Sequence, residues 1–399
     1  MSPRRVPFRT LQLSVEERQD CQGRSFQLLD RTLRSYDERN DQGEAGHRLN
    51  SIHHSNLENT RWKLLKTQED ASIYIARHNC EDHNLLGGEW ENPVVVLTAG
   101  TMQGDLETIM LGISIEDVAN FRVRSELFTK QPMDCAVLAE LLIPSDSQPF
   151  QYLAIQWMVY EHIWPLKALV RPRDFVTLAS TGTITRANGD RIGYELAQPA
   201  RLRQCPPLPG TIIRGKVMHA AIFKQQEPGV IDVFIHTYVE TEGAIMDKLI
   251  LSVTWRGNLG FWGAEKLAEM KKLQWCIANC RRERQKEQQR ASLSALGICK
   301  QCFDNRRVLK KIGGVGPDLK SSCVLCASPT CWKCRVHRTL KVLDENSAKV
   351  TDHIDPETSR GSSTSSDGAS DEHRIDLSIR VEESAPSVWS CHCWYMYYQ

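Results

Sequence analysis

Lys167-Ala168-Leu169-Val170-Arg171-Pro172-Arg173-Asp174-Phe175-Val176-Thr177-Leu178 is the stretch on which the fold of this chain turns. It falls in a candidate strand from Ala168 to Thr183, rich in Val, Leu, Phe and Thr. Neighbouring residues on a strand point to opposite faces, so Arg173 and Asp174 cannot both face the same side. One of them faces inward to a remote partner or serves only to fix the sheet; sheet fixing is the expectation. Strand-like runs continue outward in both directions. Ala136 to Ile143 and Tyr152 to His162 precede it; Arg191 to Glu195, Thr211 to Phe223 and Val230 to Glu240 follow. Turn chemistry separates them: Ala187-Asn188-Gly189-Asp190 and the stiffer Pro206-Pro207-Leu208-Pro209-Gly210. A succession of strands without helices between them predicts an antiparallel sheet.

Helices flank this meander. Ser14 and Glu17 form a capping-box pattern opening a helix over 14–38, with Phe26, Leu29, Leu33 and Tyr36 at helical spacing. A polar stretch, 37–58, reads as a loop. Ser72 to Ala76 and Val94 to Thr98 read as two earlier strands. Two short helices are expected, one beginning near Asp105 and one running from Ser114 towards Phe128. After Gly257 a long helix extends to about Gln289. Leu267, Met270, Leu273, Ile277 and Cys280 make its apolar stripe, opposite Lys266, Glu269 and Lys272. Helices, a meander and a closing helix give an α+β class.

The chain has 399 residues, with Lys+Arg 50 against Asp+Glu 49 and a net charge of +1. That balance lacks the clustered excess of base a nucleic-acid binder needs, so no nucleic acid is expected as a partner. The opening MSPRRVPFRTLQLS has no apolar core of signal-peptide length. No run approaches the roughly 18 apolar residues of a membrane span. The expected location is cytoplasmic, with peripheral attachment to endomembranes. In a reducing compartment, clusters among the 14 cysteines point to metal rather than disulfides.

The Arg-Asp-Phe-Val of 173–176, in this order of elements, resembles the corresponding segment of START lipid-binding domains. Trp62 opening the first strand and His236-Thr237-Tyr238-Val239-Glu240-Thr241-Glu242-Gly243 resemble other parts of that family. The resemblance spans about 14–290, with 1–13 as an N-terminal tail. It implies a helix-grip fold: a curved antiparallel sheet around a long C-terminal helix, with one lipid held between them. The helix 259–289 would then be the gate, and Leu267, Met270, Leu273 and Ile277 candidate cavity residues. Family members often carry a second Arg six positions after the first; here that position is Ala179. Trp157, Trp164 and Trp255 are candidate pocket residues, although core packing is the simpler role. His162 and His236 are lone histidines on strands and carry no metal assignment.

Six cysteines follow the spacing Cys299-x2-Cys302-x20-Cys323-x2-Cys326-x4-Cys331-x2-Cys334. Each C-x2-C turn aims two thiolates at one tetrahedral zinc, so zinc is the expected cofactor. The last four resemble the centre of a FYVE-type finger. That resemblance implies cross-braced sites, one with Cys299, Cys302, Cys331 and Cys334, the other with Cys323, Cys326 and a fourth pair. The fourth pair is missing, so the finger at 291–342 is incomplete. His337 is a low-ranked candidate to complete it, as are Cys391 and Cys393. A sequential Cys299, Cys302, Cys323 and Cys326 site is the alternative. The basic patch that recognises phosphoinositides in that family is absent: Pro317 to Ser322 is nearly neutral and Val324 follows Cys323.

Asp344 to Pro386 is rich in Ser and acidic residues and lacks aromatics, so 343–399 is expected to be disordered, with an aromatic terminus. No G-x-S-x-G elbow, Walker loop or H-E-x-x-H is present, and no enzyme is expected. The sequence therefore predicts non-enzymatic lipid binding or transfer, with a zinc finger for membrane or protein targeting. The alternative is a zinc-finger adaptor whose START-like domain holds no ligand.

Overall fold

The structure, a computed structural model, describes residues 6–41, 61–77 except 69, 90–160 except 116–117 and 130–132, 170–287 except 209, 211 and 242–246, and 340–353 except 345–348. The chain divides into two units, Met1–Ala268 and Glu269–Gln399.

In the first unit, nine strands form one sheet: β1 Trp62–Gln68, β2 Ala71–Ala76, β3 Val94–Gln103, β4 Met133–Leu142, β5 Tyr152–Tyr160, β6 Arg173–Thr185, β7 Arg191–Pro199, β8 Ile213–Glu227 and β9 Val230–Thr241. Their order across the sheet is β1-β2-β3-β9-β8-β7-β6-β5-β4. All of these neighbours run antiparallel. β7 stops at Pro199, which has no N–H to donate to a ladder. Beyond it β6 and β8 meet directly, in parallel, with Arg173 opposite Ile213 and Asp174 opposite Arg214.

Helix α1, Val15–Asp41, covers one face of the sheet. Its predicted capping box is present: Glu17 N donates to Ser14 Oγ at 3.2 Å and Ser14 N to Glu17 Oε2 at 2.8 Å. Leu28, Leu29 and Tyr36 pack on Tyr74, Leu97, Ile222 and Phe234. The Tyr36 hydroxyl reaches the buried Asp232 carboxylate at 2.7 Å. The expected stripe is off at one position, since Phe26 is 76% exposed. At 3.6 residues per turn, Cys21, Leu28, Thr32 and Tyr36 cluster on one side while Phe26 stands roughly 125° from their centre. The segment before α1, expected as a tail, also joins the sheet. Leu11 N donates to Leu138 O on the edge strand β4 at 2.8 Å, and Phe8 meets the Trp157 ring edge-on at 6.4 Å.

The other face carries α2 (Leu106–Ile113), α3 (Val118–Thr129) and α4 (Asp247–Leu259), followed by a 3₁₀ turn at Gly260–Gly263 and α5 (Ala264–Glu287). Asp105 caps α2, accepting from Thr108 N at 2.8 Å. The closing helix expected over 259–289 is thus two helices and a turn, and helix begins twelve residues earlier, at Asp247. The run Leu249 to Trp255 is apolar nearly all round, so it shows no 3.6-residue stripe.

In the second unit, β10 (Leu340–Asp344) and β11 (Lys349–His353) form an antiparallel hairpin. It enters the stretch expected to be unstructured from 343 onwards.

Candidate functional site

A cavity of about 280 Å³ lies between the second face of the sheet and α3 and α4. Strands β5 to β9 provide its floor. Phe121 and Phe128 of α3 and Leu249, Ile250 and Val253 of α4 provide apolar walls, and Phe261 closes one end. Leu249, Ile250 and Val253 are half-buried, whereas Thr254 and Asn258 on the same helix are buried against the sheet. Apolar side chains of α4 therefore border open space rather than close-packed core.

Polar pins hold that helix in place. Thr237 Oγ1 donates to Asn258 Oδ1 at 3.0 Å, and Asn258 Nδ2 donates to Thr98 Oγ1 at 3.1 Å. His219 Nδ1 lies 3.0 Å from Thr237 Oγ1. The Thr237 proton is committed to Asn258, so its oxygen accepts from His219 and Nδ1 carries the imidazole proton. Nε2 is then a bare acceptor. Burial pushes the His219 pKa down to about 4, so the ring is neutral near pH 7. The ring stacks on Phe261 at 5.2 Å.

The cavity contains one tightly paired charge. Arg124 of α3 donates to Glu195 Oε1 of β7 at 2.6 Å and to Ile113 O, at the end of α2, also at 2.6 Å. A cation at a helix C-terminus is favoured by the helix dipole. The guanidinium also lies over the Phe128 and Phe261 rings, at 5.0 and 5.1 Å. Burial raises the Tyr152 and Tyr160 phenols to about 12, so both remain protonated.

The Arg173-Asp174 pair separates as alternation requires. Arg173 lines the cavity, where burial, with Arg171 nearby, lowers its pKa. Asp174 points to the opposite side, accepting from Arg214 and from Trp157 Nε1 at 3.1 Å. Ala179 lines the cavity floor. Trp157 is buried beside Asp174 and Trp255 carries the Lys66 ammonium at 4.6 Å; neither lines the cavity. His236 sits on the α1 face among Trp62, Phe234 and Tyr238. His162 and Trp164 lie outside the described residues.

The candidate cavity residues of the long helix are placed differently. Leu267, Met270 and Leu273 are buried but none is among the lining residues, and the Ile277 side chain lies outside the described ones. The wall they were expected to form belongs to α4, the helix before the 3₁₀ turn, some 18–20 residues earlier in the chain. Cys299, Cys302, Cys323, Cys326, Cys331, Cys334, His337, Cys391 and Cys393 lie outside the described residues. Among the described residues no group of three or more metal-ligating side chains occurs. Sequence reasoning missed Glu195, Arg124 and His219. Only their spatial convergence marks them, although an Arg and a Glu at cavity-facing positions are a weak signal once the sheet phase is known.

No family model matches the chain, and no curated protein matches its sequence. Among solved structures it is similar to human STARD10, with 10% identity over 58% of this chain and 86% of that one and a TM-score of 0.37. It is also similar to human StAR-related lipid transfer protein 5, with 16% identity over 54% of this chain and 89% of that one and a TM-score of 0.36. A STAR-related lipid transfer protein fragment from Xanthomonas axonopodis shows 14% identity over 51% of this chain and 96% of that one, with a TM-score of 0.33.

Proposed function

We propose that the first unit is a START-like, non-enzymatic lipid-binding domain and that 291–342 is an incomplete FYVE-like zinc finger directing it to a membrane or protein partner. The observation that carries the first half is the cavity, apolar along α3 and α4, with half-buried Leu249, Ile250 and Val253 bordering open space. Removing an alkyl chain from water into such a space supplies about 25 cal/mol per Å² of apolar surface. No reactive group is needed to hold an alkyl chain, and the Thr237 hydroxyl is committed to Asn258 and Glu195 Oε1 to Arg124.

The second half rests on the three C-x2-C turns at Cys299, Cys302, Cys323, Cys326, Cys331 and Cys334, which present thiolates at zinc spacing. With Pro317 to Ser322 nearly neutral, the finger discriminates little between phosphoinositide and neutral surfaces, because a phosphate needs several convergent cations.

Native mass spectrometry of the full chain purified from cells tests the lipid assignment. A bound mass in the lipid range is expected, and it should fall in Val253→Trp, whose indole fills the cavity from α4. A chain with no bound lipid, and a Val253→Trp variant that melts well below the parent, would instead favour a ligand-free adaptor, because overpacking a solid core costs about 1–3 kcal/mol.

A further inference from the structure

Four strands bring small residues and polar atoms together on the cavity floor. Ala179 of β6 pairs with Ala197 of β7, and Ala197 pairs in turn with His219 of β8. Two adjacent alanines leave a depression in the floor. Around it stand Thr177, which pairs with Gln156, then Glu195, which pairs with Thr181, and His219. All of them line the cavity.

Four of these residues have a buried polar atom without a hydrogen-bond partner among the described residues: Thr177 Oγ1, Gln156 Nε2, Glu195 Oε2 and His219 Nε2; the Thr181 hydroxyl is satisfied by Phe150 O at 2.9 Å. Thr177 is 1% exposed and Gln156 2%. The Gln156 amide also lies near enough to the Tyr152 phenol to interact with it as a donor, so Thr177 Oγ1, Glu195 Oε2 and His219 Nε2 define the niche more firmly than Gln156 does. An unsatisfied buried polar atom costs free energy, so four of them along one stretch of the cavity floor, from β5 to β8, favour a polar ligand group there over an accident of packing.

The chemistry of the four atoms selects what fits. His219 Nε2 is an acceptor, because Nδ1 holds the proton for Thr237. Glu195 Oε2 is an acceptor carrying negative charge. Gln156 Nε2 is a donor, and the Thr177 hydroxyl serves either way. A hydroxyl donates one hydrogen bond and accepts others, so it matches this rim. A phosphodiester or carboxylate has no proton to give His219 Nε2 or Glu195 Oε2 at neutral pH. The Arg124–Glu195 pair is neutral as a unit, and Arg173, another cation of the cavity lining, stands four residues from Thr177 along β6, about 13 Å of strand away from the niche.

We infer that the niche over Ala179 and Ala197 holds the head of an uncharged, hydroxyl-bearing lipid, each hydroxyl giving its one proton to either His219 Nε2 or Glu195 Oε2. This rests on the lipid-cavity reading and narrows it to one class of head group.

The test uses matched probes with one alkyl chain: oleyl alcohol, oleyl methyl ether, oleate and oleylamine. Each is incubated with the delipidated full-length protein at pH 7.4, and the amount retained after gel filtration is measured by mass spectrometry. The alcohol should be retained at least about tenfold more than the ether, which cannot donate, and than oleate, since a site built around hydrogen bonds rejects an analogue that cannot make them. In His219→Phe and in Thr177→Val the alcohol should lose that advantage while ether retention persists, the ether serving as the check that the cavity remains intact. Equal retention of alcohol and ether, or oleate at or above the alcohol, overturns the inference and leaves the lipid cavity standing. Oleylamine above the alcohol overturns it in favour of a cation site at Glu195. Retention of none of the four overturns the cavity reading itself.

Discussion

Arg214 grips Asp174 with two nitrogens, Nε to Oδ1 at 3.0 Å and Nη2 to Oδ2 at 2.9 Å, at the point where β6 and β8 run side by side in parallel. The carboxylate has no exposure, and Trp157 Nε1 adds a third hydrogen bond. Arg214 also donates to Cys205 O and Pro206 O, tying the β7–β8 connection to the same spot. The pair thus clamps the sheet where β7 has ended.

Removing only the cation leaves a buried carboxylate uncompensated. Arg214→Met is expected to destabilise the folded state by about 3–5 kcal/mol. Arg191→Met, which breaks an ion pair half open to solvent with Glu107, should cost under about 1 kcal/mol. Urea unfolding of the full-length variants, followed by tryptophan fluorescence, separates the two. Similar midpoints for both would show that the clamp contributes no more than a surface pair.

What the sequence made legible follows from periodicity. Alternation placed Arg173 and Asp174 on opposite faces, and the capping pattern Ser14 to Glu17 located the start of α1. Partnership was not legible: nothing local to Asp174 points to Arg214, forty residues on. Phe26 misled because a stripe in one helix admits two phases until the sheet chooses one. The wall of the cavity was assigned to Leu267, Met270 and Leu273 because that helix has a clean stripe. The actual wall, α4, faces half-open space and so has no clean stripe to read. The polar atoms around Ala179 and Ala197 were not legible either, because Gln156, Thr177, Glu195 and His219 lie on four different strands and only the register of the sheet brings them to one floor.

Two histidines make stability depend on pH. Burial pushes His219 down to about 4 and His236 to about 3. Both ring nitrogens of His236 lack a partner among the described residues. In the unfolded chain each imidazole titrates near 6.5, so below that pH the unfolded state binds more protons than the folded one. The effect is absent above pH 7, begins near 6.5 and is complete only below the folded-state values. At pH 5 each histidine should cost about 2 kcal/mol. Unfolding free energies measured from pH 8 to 5 should fall on acidification, and His236→Phe should flatten the slope by about one proton while keeping the ring cluster with Trp62 and Tyr238. A variant with the parent's slope would show that His236 does not titrate on unfolding.

Gly112 sits where α2 crosses the start of α5, and a Cβ there would stand 2.0 Å from Ala264 O. Two effects of Gly112→Ala oppose each other. Helix propensity favours alanine by about 1 kcal/mol. The contact is with backbone rather than with a flexible side-chain end, and overpacking of that kind costs about 1–3 kcal/mol. A net loss is therefore expected, and because Ile113 O receives Arg124, retention of cavity ligand should fall with it. Gly23→Ala, with nothing within 4 Å of the added Cβ, should be neutral or stabilising. Thermal melts of the two variants compare the effects directly; a Gly112→Ala protein at least as stable as the parent would mean that the helices move apart at little cost.

The finger, finally, should hold at least one zinc independently of the cavity. Three C-x2-C turns within Cys299 to Cys334 supply six thiolates, while the cysteines buried in the first unit, Cys21, Cys135 and Cys205, are dispersed over it. Burial raises the pKa of all three, to about 11 for Cys135, so they are protonated and poor competitors for metal. If 291–342 is the proposed finger, so small a segment would draw its folding free energy from the metal's binding rather than from a core of its own. Metal analysis of freshly purified protein should find zinc at one or two equivalents per chain. Cys302→Ser should lower that by about one equivalent, and the melting temperature of the first unit should stay within about 2 °C of the parent. Protein purified without chelator that contains no zinc would sink the assignment of these cysteines as ligands.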